Sequence, residues 1–265
     1  MLRRIRRCLR IIARYPNDAG PMADPRFYCP FALTDAVQVN LSPTAAHHAA
    51  KVLRLRRGDR VVLFDGTGGE YEASIHWVER NEVVVDVGRH LTVEREAPLS
   101  LCLAQGLATG DKMDDTLQKA VQMGAARFQP LATRKSVVRL TEERGARRQQ
   151  HWESVAIHAC EQCGRNRLPE VSPVEDCETW LAAVQASPVL KLVLDPFADR
   201  RLTDLARPLG EVIVLVGPEG GLTEEETRAA RAAGFQAIRL GPRVLRTEVA
   251  GLALLAAINA LWGDF

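Results

Sequence analysis

Gly217-Pro218-Glu219-Gly220-Gly221 and Leu240-Gly241-Pro242-Arg243-Val244-Leu245-Arg246-Thr247-Glu248 are the two stretches that decide the fold of this chain. Each loop follows a short apolar run, Val212 to Val216 and Phe235 to Leu240, and each precedes a segment predicted to be helical. Such runs, separated by helices, are typical of neighbouring parallel strands in an α/β sheet. Ligands of these sheets bind at the carboxyl ends of the strands, and glycine lets the backbone approach a ligand closely. The two loops are therefore predicted to form the ligand site.

Length and composition indicate a protein with room for two domains. The chain has 265 residues, of which 46% are hydrophobic, so it can bury a large core. No run approaches the roughly 20 apolar residues that span a bilayer, and no membrane association is expected. The six cysteines are scattered and no secretory signal is recognisable, so a disulfide framework is not expected. A cytoplasmic location is predicted.

The positive charge is concentrated at the N-terminus. Six arginines and one aspartate within residues 1–21 contribute +5 to the net charge of +2, which leaves −3 for residues 22–265. Global charge therefore gives no support for nucleic-acid binding, which must rest on local groups. Residues 1–25 are predicted to be a basic, disordered extension. An Arg-rich transit peptide, an RNA-binding arm and an upstream extension before an initiator at Met22 all remain open.

The pattern changes once along the chain, and the change divides it into two domains. Residues 26–93 contain mostly strand-like runs joined by glycine-rich or polar turns, which predicts a small β-barrel. The exception is a helix from Thr44 to Leu55, with Ser42 as its cap and Pro43 at its first position. Residues 94–98 are charged, end in proline and are predicted to be a linker.

Residues 99–265 alternate between strand and helix patterns and predict an α/β domain. The further predicted strands are Leu99–Gln105, Phe128–Leu131 and Val189–Leu194. The predicted helices are Asp111–Met123, Glu142–Cys163 and the apolar final helix Val249–Trp262.

The residues after the first glycine loop argue against a phosphate ligand. Thr223 and Glu226 fit a capping box, and together with Glu224 and Glu225 they place three carboxylates on the first helical turn. These carboxylates would repel a phosphate at the helix N-terminus. A non-phosphate ligand fits better, and a tight turn without any ligand remains the alternative.

The second loop contains two arginines whose role the sequence leaves open. The planar guanidinium groups of Arg243 and Arg246 suit an oxyanion, a phosphate or a base edge. A salt bridge at the helix start, between Arg246 and Glu248 or Glu219, is an equally good interpretation.

Cys160-Glu161-Gln162-Cys163-Gly164-Arg165-Asn166-Arg167 ends the long predicted helix. A Cys-x-x-Cys pair can bind zinc or act in redox chemistry, but there is no second pair and the motif lies at a helix end. Polar contacts from Glu161, Gln162 and Arg165, with packing roles for the cysteines, are therefore favoured. Local basic groups, Lys51 and Arg54 in the first domain and the arginines at 144, 147 and 148 in the second, are either solvated faces or an RNA-binding surface.

Taken together, these motifs resemble the bacterial 16S ribosomal RNA uridine-N3 methyltransferase family of the SPOUT class. The resemblance rests on both glycine-proline loops, on Cys160 to Arg167, and on His47-His48-Ala49-Ala50-Lys51-Val52-Leu53-Arg54 with Phe64-Asp65-Gly66, and it covers about Arg26 to Phe265. It implies a C-terminal trefoil-knotted SPOUT methyltransferase domain, an N-terminal PUA-like β-barrel that binds RNA, and a homodimer. Residues 1–21 have no counterpart in the family, and Val249 stands where a threonine is usual.

The resemblance implies S-adenosylmethionine as the cofactor and 16S ribosomal RNA of the small ribosomal subunit as the partner, with no metal. The implied cofactor-binding residues are Leu194, Gly217, Pro218, Glu219, Gly220, Gly221, Leu240, Gly241, Val244, Leu245, Arg246 and Thr247. The implied catalytic residues are Arg246, Arg243, Glu219 and Glu248, in which an arginine stabilises charge on the uracil and a glutamate accepts its N3 proton. The implied RNA-binding residues are Arg26, Lys51, Arg54, Gln162 and Arg165.

Two alternatives of function remain open at this point. A non-catalytic RNA-binding or ribosome-assembly protein could retain the knot for structure alone. The same chemistry could also be directed at another RNA base.

Overall fold

A computed structural model describes residues 24–80, 82–138 and 141–265. The predicted basic extension, apart from Asp24 and Pro25, lies outside these residues. The described chain forms two β-sheets, one of five strands before residue 94 and one of seven strands after it.

The first sheet has the strand order β1-β3-β4-β5-β2. Its strands are β1 (Arg26–Tyr28), β2 (Gln38–Asn40), β3 (Arg60–Phe64), β4 (Glu70–Glu79) and β5 (Glu82–Leu91). β1 pairs parallel with β3, and the other neighbours are antiparallel. One face of the sheet packs on a separate apolar core that includes Phe27, Leu63 and Val85.

The predicted helix after Ser42 is present in a modified form. The Ser42 hydroxyl accepts from the Ala45 N–H at 3.3 Å and caps α1 (Pro43–His47). The chain then continues as a π-helical turn, His48–Val52, in which the Leu53 N–H donates to the His48 carbonyl at 2.9 Å. Ala49 in this turn is fully buried, so the wider turn still contributes to the core.

The second sheet has the order β12-β10-β11-β6-β7-β8, with β9 also paired to β7, and all of its pairings are parallel. Its strands are β6 (Ser100–Gly106), β7 (Ala125–Ala132), β8 (Glu170–Val171), β9 (Glu175–Asp176), β10 (Leu190–Leu194), β11 (Glu211–Val216) and β12 (Gln236–Ile238). Its helices are α2 (Lys112–Gln122), α3 (Glu142–Cys163), α4 (Cys177–Val184), α5 (Glu224–Ala232) and α6 (Thr247–Trp262).

Helices cover both faces of this sheet because successive strand residues point to opposite sides. Leu101 and Leu103 of β6 lie in the core shared with α2, α3 and α6. Cys102 and Ala104 lie in the core shared with α4 and α5. The α/β prediction is confirmed.

One expectation about the sheet is wrong. The runs before the two glycine loops were expected to be neighbouring strands, but β10 lies between β11 and β12 and pairs with both. All three strands are parallel, so the two loops still leave the sheet at the same edge. α4, β8 and β9 have no counterpart among the predicted elements.

Ion pairs join the two halves of the chain. The Arg26 guanidinium donates to Glu70 Oε2 at 2.6 Å and to the Asn166 side chain, and Arg95 donates to the same Glu70 oxygen at 2.9 Å. Burial raises the pKa of the Glu70 carboxyl, but the hydrogen bonds from Arg95 and Arg26 outweigh it, and the net pKa is lowered. The Arg26 side chain therefore lies in the junction between the two parts of the chain.

Arg165 is buried in the same junction. Its side chain is 4% exposed and pairs with Glu96, and its Nη1 donates to the carbonyls of Val121 at 3.0 Å and Ala125 at 2.7 Å. Arg26 and Arg165 were expected to contact RNA. In the structure Arg26 bonds to Glu70 and Asn166, and Arg165 pairs with Glu96, so both guanidinium groups contribute to the junction, and their contact with RNA stays a prediction.

Candidate active site

A cavity of about 670 Å³ lies at the carboxyl ends of β10, β11 and β12. Both glycine-proline loops line it, as the sequence predicted. Of the predicted site residues, those that line the cavity are Leu194, Gly217, Pro218, Glu219, Gly220, Gly221, Leu240, Arg243, Val244, Leu245, Arg246, Thr247 and Glu248. Gly241 is outside the lining, in a turn at φ +74°.

The backbone of the first loop leaves no room or conformational freedom for side chains at Gly217 and Gly221. A Cβ on Gly217 would lie 2.8 Å from the backbone of Gly221 and of Leu222, and Gly221 has a φ of +69°. Both positions require glycine, the first by close backbone approach and the second by a left-handed conformation. The loop therefore presents bare backbone at its glycines, between which Pro218 and Glu219 also line the cavity.

Hydrogen bonds of Thr247 and Gln105 connect the second loop to the first. The Thr247 hydroxyl donates to the Gly217 carbonyl at 2.6 Å, and Gln105 Nε2 donates to Thr247 Oγ1 at 2.8 Å and to the Gly217 carbonyl at 3.3 Å. Gln105 is 1% exposed. Sequence reasoning missed it, although a glutamine at the end of an otherwise apolar strand was the available signal, because buried polar side chains need partners.

Glu219 is held in the cavity wall by three donors. The Thr109 N–H and hydroxyl donate to its Oε1 at 2.9 and 2.7 Å, and Lys112 Nζ donates to the same oxygen at 2.8 Å. Burial raises the pKa of the Glu219 carboxyl, but the hydrogen bonds from Lys112 and Thr109 outweigh it and lower the pKa to about 2. Glu219 is therefore an ionised group near neutral pH.

Glu248 has different surroundings from Glu219. Its Oε2 atom is buried and has no hydrogen-bond partner among the described residues. Arg243 and Arg246 line the same cavity, are exposed, and form no ion pair with Glu248 or Glu219 within the described part of the chain. The interpretation of Arg246 as a salt-bridged helix start is therefore wrong.

Lys135, one of the basic residues that the sequence leaves open as a solvated face or an RNA-binding surface, packs against the first loop. Its Nζ donates to the Leu222 carbonyl at 3.2 Å, and its aliphatic stem lies 3.2 Å from the position a Gly220 Cβ would take. The predicted capping box follows this loop: the Thr223 hydroxyl accepts from the Glu226 N–H at 3.2 Å, and Glu226 accepts from the Thr223 N–H at 2.8 Å. The capping prediction is confirmed.

The remaining motif residues lie away from the cavity. Lys51, Arg54 and Gln162 are exposed, and Gln162 Oε1 accepts from Gln122 at 2.9 Å. Burial raises the pKa of the Cys160 thiol to about 12, which makes it a packing residue and not a reactive thiolate. No group of His, Cys, Asp and Glu side chains within the described ranges is arranged to hold a metal ion, and no helix there is long and apolar enough to cross a membrane.

A parallel sheet with glycine loops around a cavity at its carboxyl edge defines the class of α/β proteins that bind a small organic ligand or cofactor. Residues 95–259 match the family model of the RNA methyltransferase domain, and residues 41–87 match that of the RNA methyltransferase PUA domain. The chain belongs to this RNA methyltransferase family.

Sequence alignments with named relatives cover most of the chain. The ribosomal RNA small subunit methyltransferase E of Buchnera aphidicola (strain Sg) is 29% identical over 240 residues, covering 91% of this chain and 97% of the relative. That of Mycobacterium tuberculosis is 31% identical over 218 residues, covering 81% and 83%. The predicted family is confirmed.

Two solved structures are similar in fold and sequence. A Legionella pneumophila protein in complex with the bound cofactor SAM is 36% identical, with a TM-score of 0.87, covering 92% of this chain and all of that one. A ribosomal RNA small subunit methyltransferase E from Neisseria gonorrhoeae bound to S-adenosyl methionine is 38% identical, with a TM-score of 0.84 and the same coverage.

Proposed function

We propose that this protein transfers the methyl group of S-adenosylmethionine to N3 of a uridine in 16S ribosomal RNA of the small subunit. The observation that supports this most is the single cavity that both glycine-proline loops line, in a chain that aligns over 92% of its length with two cofactor-bound structures. The predicted enzyme class and cofactor are confirmed at the level of the family.

The cavity fits the cofactor in size and in chemistry. Its volume of about 670 Å³ lies within the range of about 300–1,000 Å³ for small-ligand sites. Val193, Ile238 and Leu240 provide an apolar wall for an adenine ring, and the bare backbone of the Gly217 loop provides donors and acceptors beside it. When bound, the cofactor supplies an electrophilic methyl group.

The residues of this chain would supply the rest of the chemistry. Uracil N3 carries a proton and becomes nucleophilic only when that proton leaves, so the site must accept it and stabilise charge on the carbonyl oxygens. We assign the charge stabilisation to Arg246 and Arg243, because fixed donors in a dry site can contribute several kcal/mol. We assign proton acceptance to Glu248, since its buried oxygen has no other partner.

Glu219 suits a different task from proton acceptance. A carboxyl with a pKa of about 2 is a weak base near neutral pH. Its contacts with Lys112 and Thr109 instead fix the loop that lines the cavity. Glu219 is thus proposed as the group that orients the cofactor loop.

The first domain, residues 26–93, is proposed to hold the RNA, and residues 94–98 to link it to the methyltransferase domain. Lys51 and Arg54 are exposed on the π-helical turn and just after it, and Gln162 is exposed at the end of α3. Phosphate contacts from such cations supply much of the affinity for RNA. A cytoplasmic location belongs to this proposal, since the substrate is ribosomal.

We also propose a trefoil knot and a homodimer, as the resemblance implies. For the knot, the structure offers one related contact: the Thr247 hydroxyl at the start of α6 donates to the Gly217 carbonyl, so the two loops that a knot would bring together are in contact. The dimer is supported by apolar side chains left exposed on α6, with Val249 at 46% and Leu261 at 49%.

Methyl transfer to RNA tests the function directly. Tritiated S-adenosylmethionine would be incubated with the protein and with 16S rRNA, 30S particles or transfer RNA, followed by nucleoside mass spectrometry. We expect 3-methyluridine in 16S rRNA. A different methylated nucleoside would show that the enzyme modifies another RNA base. No transfer, with no calorimetric signal for the cofactor, would favour the RNA-binding or assembly role.

A further inference from the structure

The helix α3 separates its charges between its two exposed flanks. One flank carries residues that recur at spacings of four, three, seven and four and therefore lie in a row along the axis, namely Arg144, Arg148, His151, His158 and Gln162. The other flank carries the exposed Glu143 and Glu153, and Glu161, which is half-buried and bonds to Tyr28. We call the first set the α3 stripe.

The two arginines of the stripe are exposed and available. Arg144 and Arg148 have no ion-pair partner among the described residues, whereas Arg147 at the edge pairs with Glu143. His151 faces the Asp114 carboxylate of α2, which neutralises part of the stripe there. The free positive charge is therefore concentrated in the first two turns of α3.

Folding does not explain this placement. Thr141 caps α3, so Arg144 lies in its first turn, where the helix dipole disfavours a cation. Arg144 and Arg148 are also like charges at a spacing of four, which is unfavourable within a helix. Both effects oppose helix stability, which points to a ligand of opposite charge.

The stripe ends beside the first domain and passes α2, whose first residue, Lys112, lines the cavity. From Arg144 to Gln162 it spans 18 residues, or about 27 Å at about 1.5 Å per residue. At its far end Glu161 accepts from the backbone N–H of Tyr28 in the first domain at 3.0 Å. In its middle, His151 bonds to Asp114, two residues after the cavity residue Lys112.

We propose that the α3 stripe is a track for the RNA backbone, which positions the strand beside the cavity through phosphate contacts at Arg144 and Arg148. The proposal rests on the proposed function and names the surface that its substrate follows. Exposed arginines attract phosphates by charge, and contacts to phosphates carry no base sequence. The stripe therefore contributes to affinity for any single strand of RNA.

The test is the salt dependence of RNA binding by Arg144→Gln/Arg148→Gln. Glutamine has nearly the helix propensity of arginine, and the variant removes a repulsive pair, so α3 is expected to remain folded. The control Arg207→Gln/Arg228→Gln removes the same charge; Arg228 lies on α5, at the opposite face of the sheet. Filter binding would use 16S rRNA transcribed in vitro and, separately, 30S particles, with cofactor-loaded protein.

We expect the stripe variant to lose about 10- to 50-fold in affinity near 0.1 M salt, and the slope of log K against log salt to fall by about 1.5–2. Its cofactor affinity and the control's RNA affinity should be unchanged. Equal losses in both variants, or an unchanged slope, would overturn the track. If the stripe variant lost affinity for 30S particles but not for naked rRNA, the stripe would bind an acidic ribosomal protein and not RNA. Absence of methyl transfer by the wild type bears on the proposed function alone, because binding is measured independently of it.

Discussion

Glu219 and Glu248 line the same cavity but can do different chemistry there. Three donors keep Glu219 ionised, whereas one oxygen of Glu248 is buried without a partner. The two arginines of the second loop are free of both carboxylates. The division of roles between these four residues leads to two predictions at the residue scale.

Replacing Arg246 with alanine is expected to lower methyl transfer by at least about 100-fold while leaving the fold intact. The side chain is exposed in the cavity and makes no ion pair in the described structure, so its loss removes only a contact to the reacting base. Single-turnover transfer with tritiated cofactor measures the rate, and circular dichroism monitors the fold. Wild-type rates in this variant would remove Arg246 from the mechanism.

The contacts of Glu219 predict a defined pH dependence of stability. Its folded pKa of about 2 lies below the ordinary 4.5, so its stabilisation is fully present above about pH 4.5 and is lost as the pH falls towards 2. Since the ion pair with Lys112 is partly exposed, we expect about 1 kcal/mol or less. Urea unfolding of wild type and Glu219→Gln should differ by a constant amount from about pH 5 to 8, and the difference should shrink in acid. A difference that grows in acid would contradict this assignment.

At the scale of elements, the start of α6 positions the first glycine-proline loop. The hydroxyl of Thr247, the first residue of α6, is both an acceptor from Gln105 on β6 and a donor to Gly217 after β11. The Thr247 hydroxyl therefore connects β6, the end of β11 and α6. We expect the shape of the cavity to depend on this hydroxyl.

Thr247→Val keeps the shape of the side chain and removes both hydrogen bonds. We expect the dissociation constant for S-adenosylmethionine to rise about 5- to 10-fold, because about 1 to 1.4 kcal/mol of loop ordering is lost. Thr247→Ser retains the hydroxyl and should bind nearly as wild type. Isothermal calorimetry on the three proteins measures the difference, and equal affinities for valine and serine would show that the bond is dispensable.

At the scale of the whole molecule, a largely buried ion pair holds the segment between the two sheets against the second one. Arg165 is 4% exposed and Glu96 is 23% exposed, and the guanidinium also satisfies two carbonyls at the end of α2 and the start of β7. Removing one partner of such a pair leaves buried polar groups without partners.

Arg165→Met is therefore expected to lower the free energy of unfolding by about 3 kcal/mol. Arg89→Met, which breaks the exposed pair with Glu72, should cost at most about 1 kcal/mol. Urea denaturation followed by fluorescence gives both values. Limited proteolysis should also cleave the linker at residues 94–98 faster in Arg165→Met, and equal stabilities of the two variants would argue against the junction.

The apolar surface of α6 predicts the oligomeric state. Val249→Glu/Leu261→Glu should convert a dimer into a monomer, because each substitution places a charge in an apolar interface. Val37→Glu/Leu209→Glu changes two more exposed apolar residues, at 78% and 97%, outside α6 and should leave the dimer intact. Sedimentation velocity distinguishes the two states. A monomeric wild type, or a dimeric α6 variant, would rule out this interface.

Much of the local structure could be predicted from the sequence. The apolar runs gave most strands of the α/β domain to within a few residues, and the capping box at Thr223 and the cap at Ser42 were both identifiable. These features depend on side-chain periodicity and on hydrogen bonds that span only a few residues. The glycines and the parallel-sheet pattern also predicted that the two loops would lie together at one edge, and both line one cavity there.

The sequence by itself therefore determined the elements, the loop edge of the sheet and the family resemblance. Only the tertiary structure decided that β10 separates β11 from β12, that Arg165 is interior, and that Gln105 supports the site. Gln105 and Thr247 are 142 residues apart in the chain, so no local pattern relates them. The physical reason is that burial and pairing of a polar side chain depend on which distant segments pack around it, and the packed sheet brings those segments together.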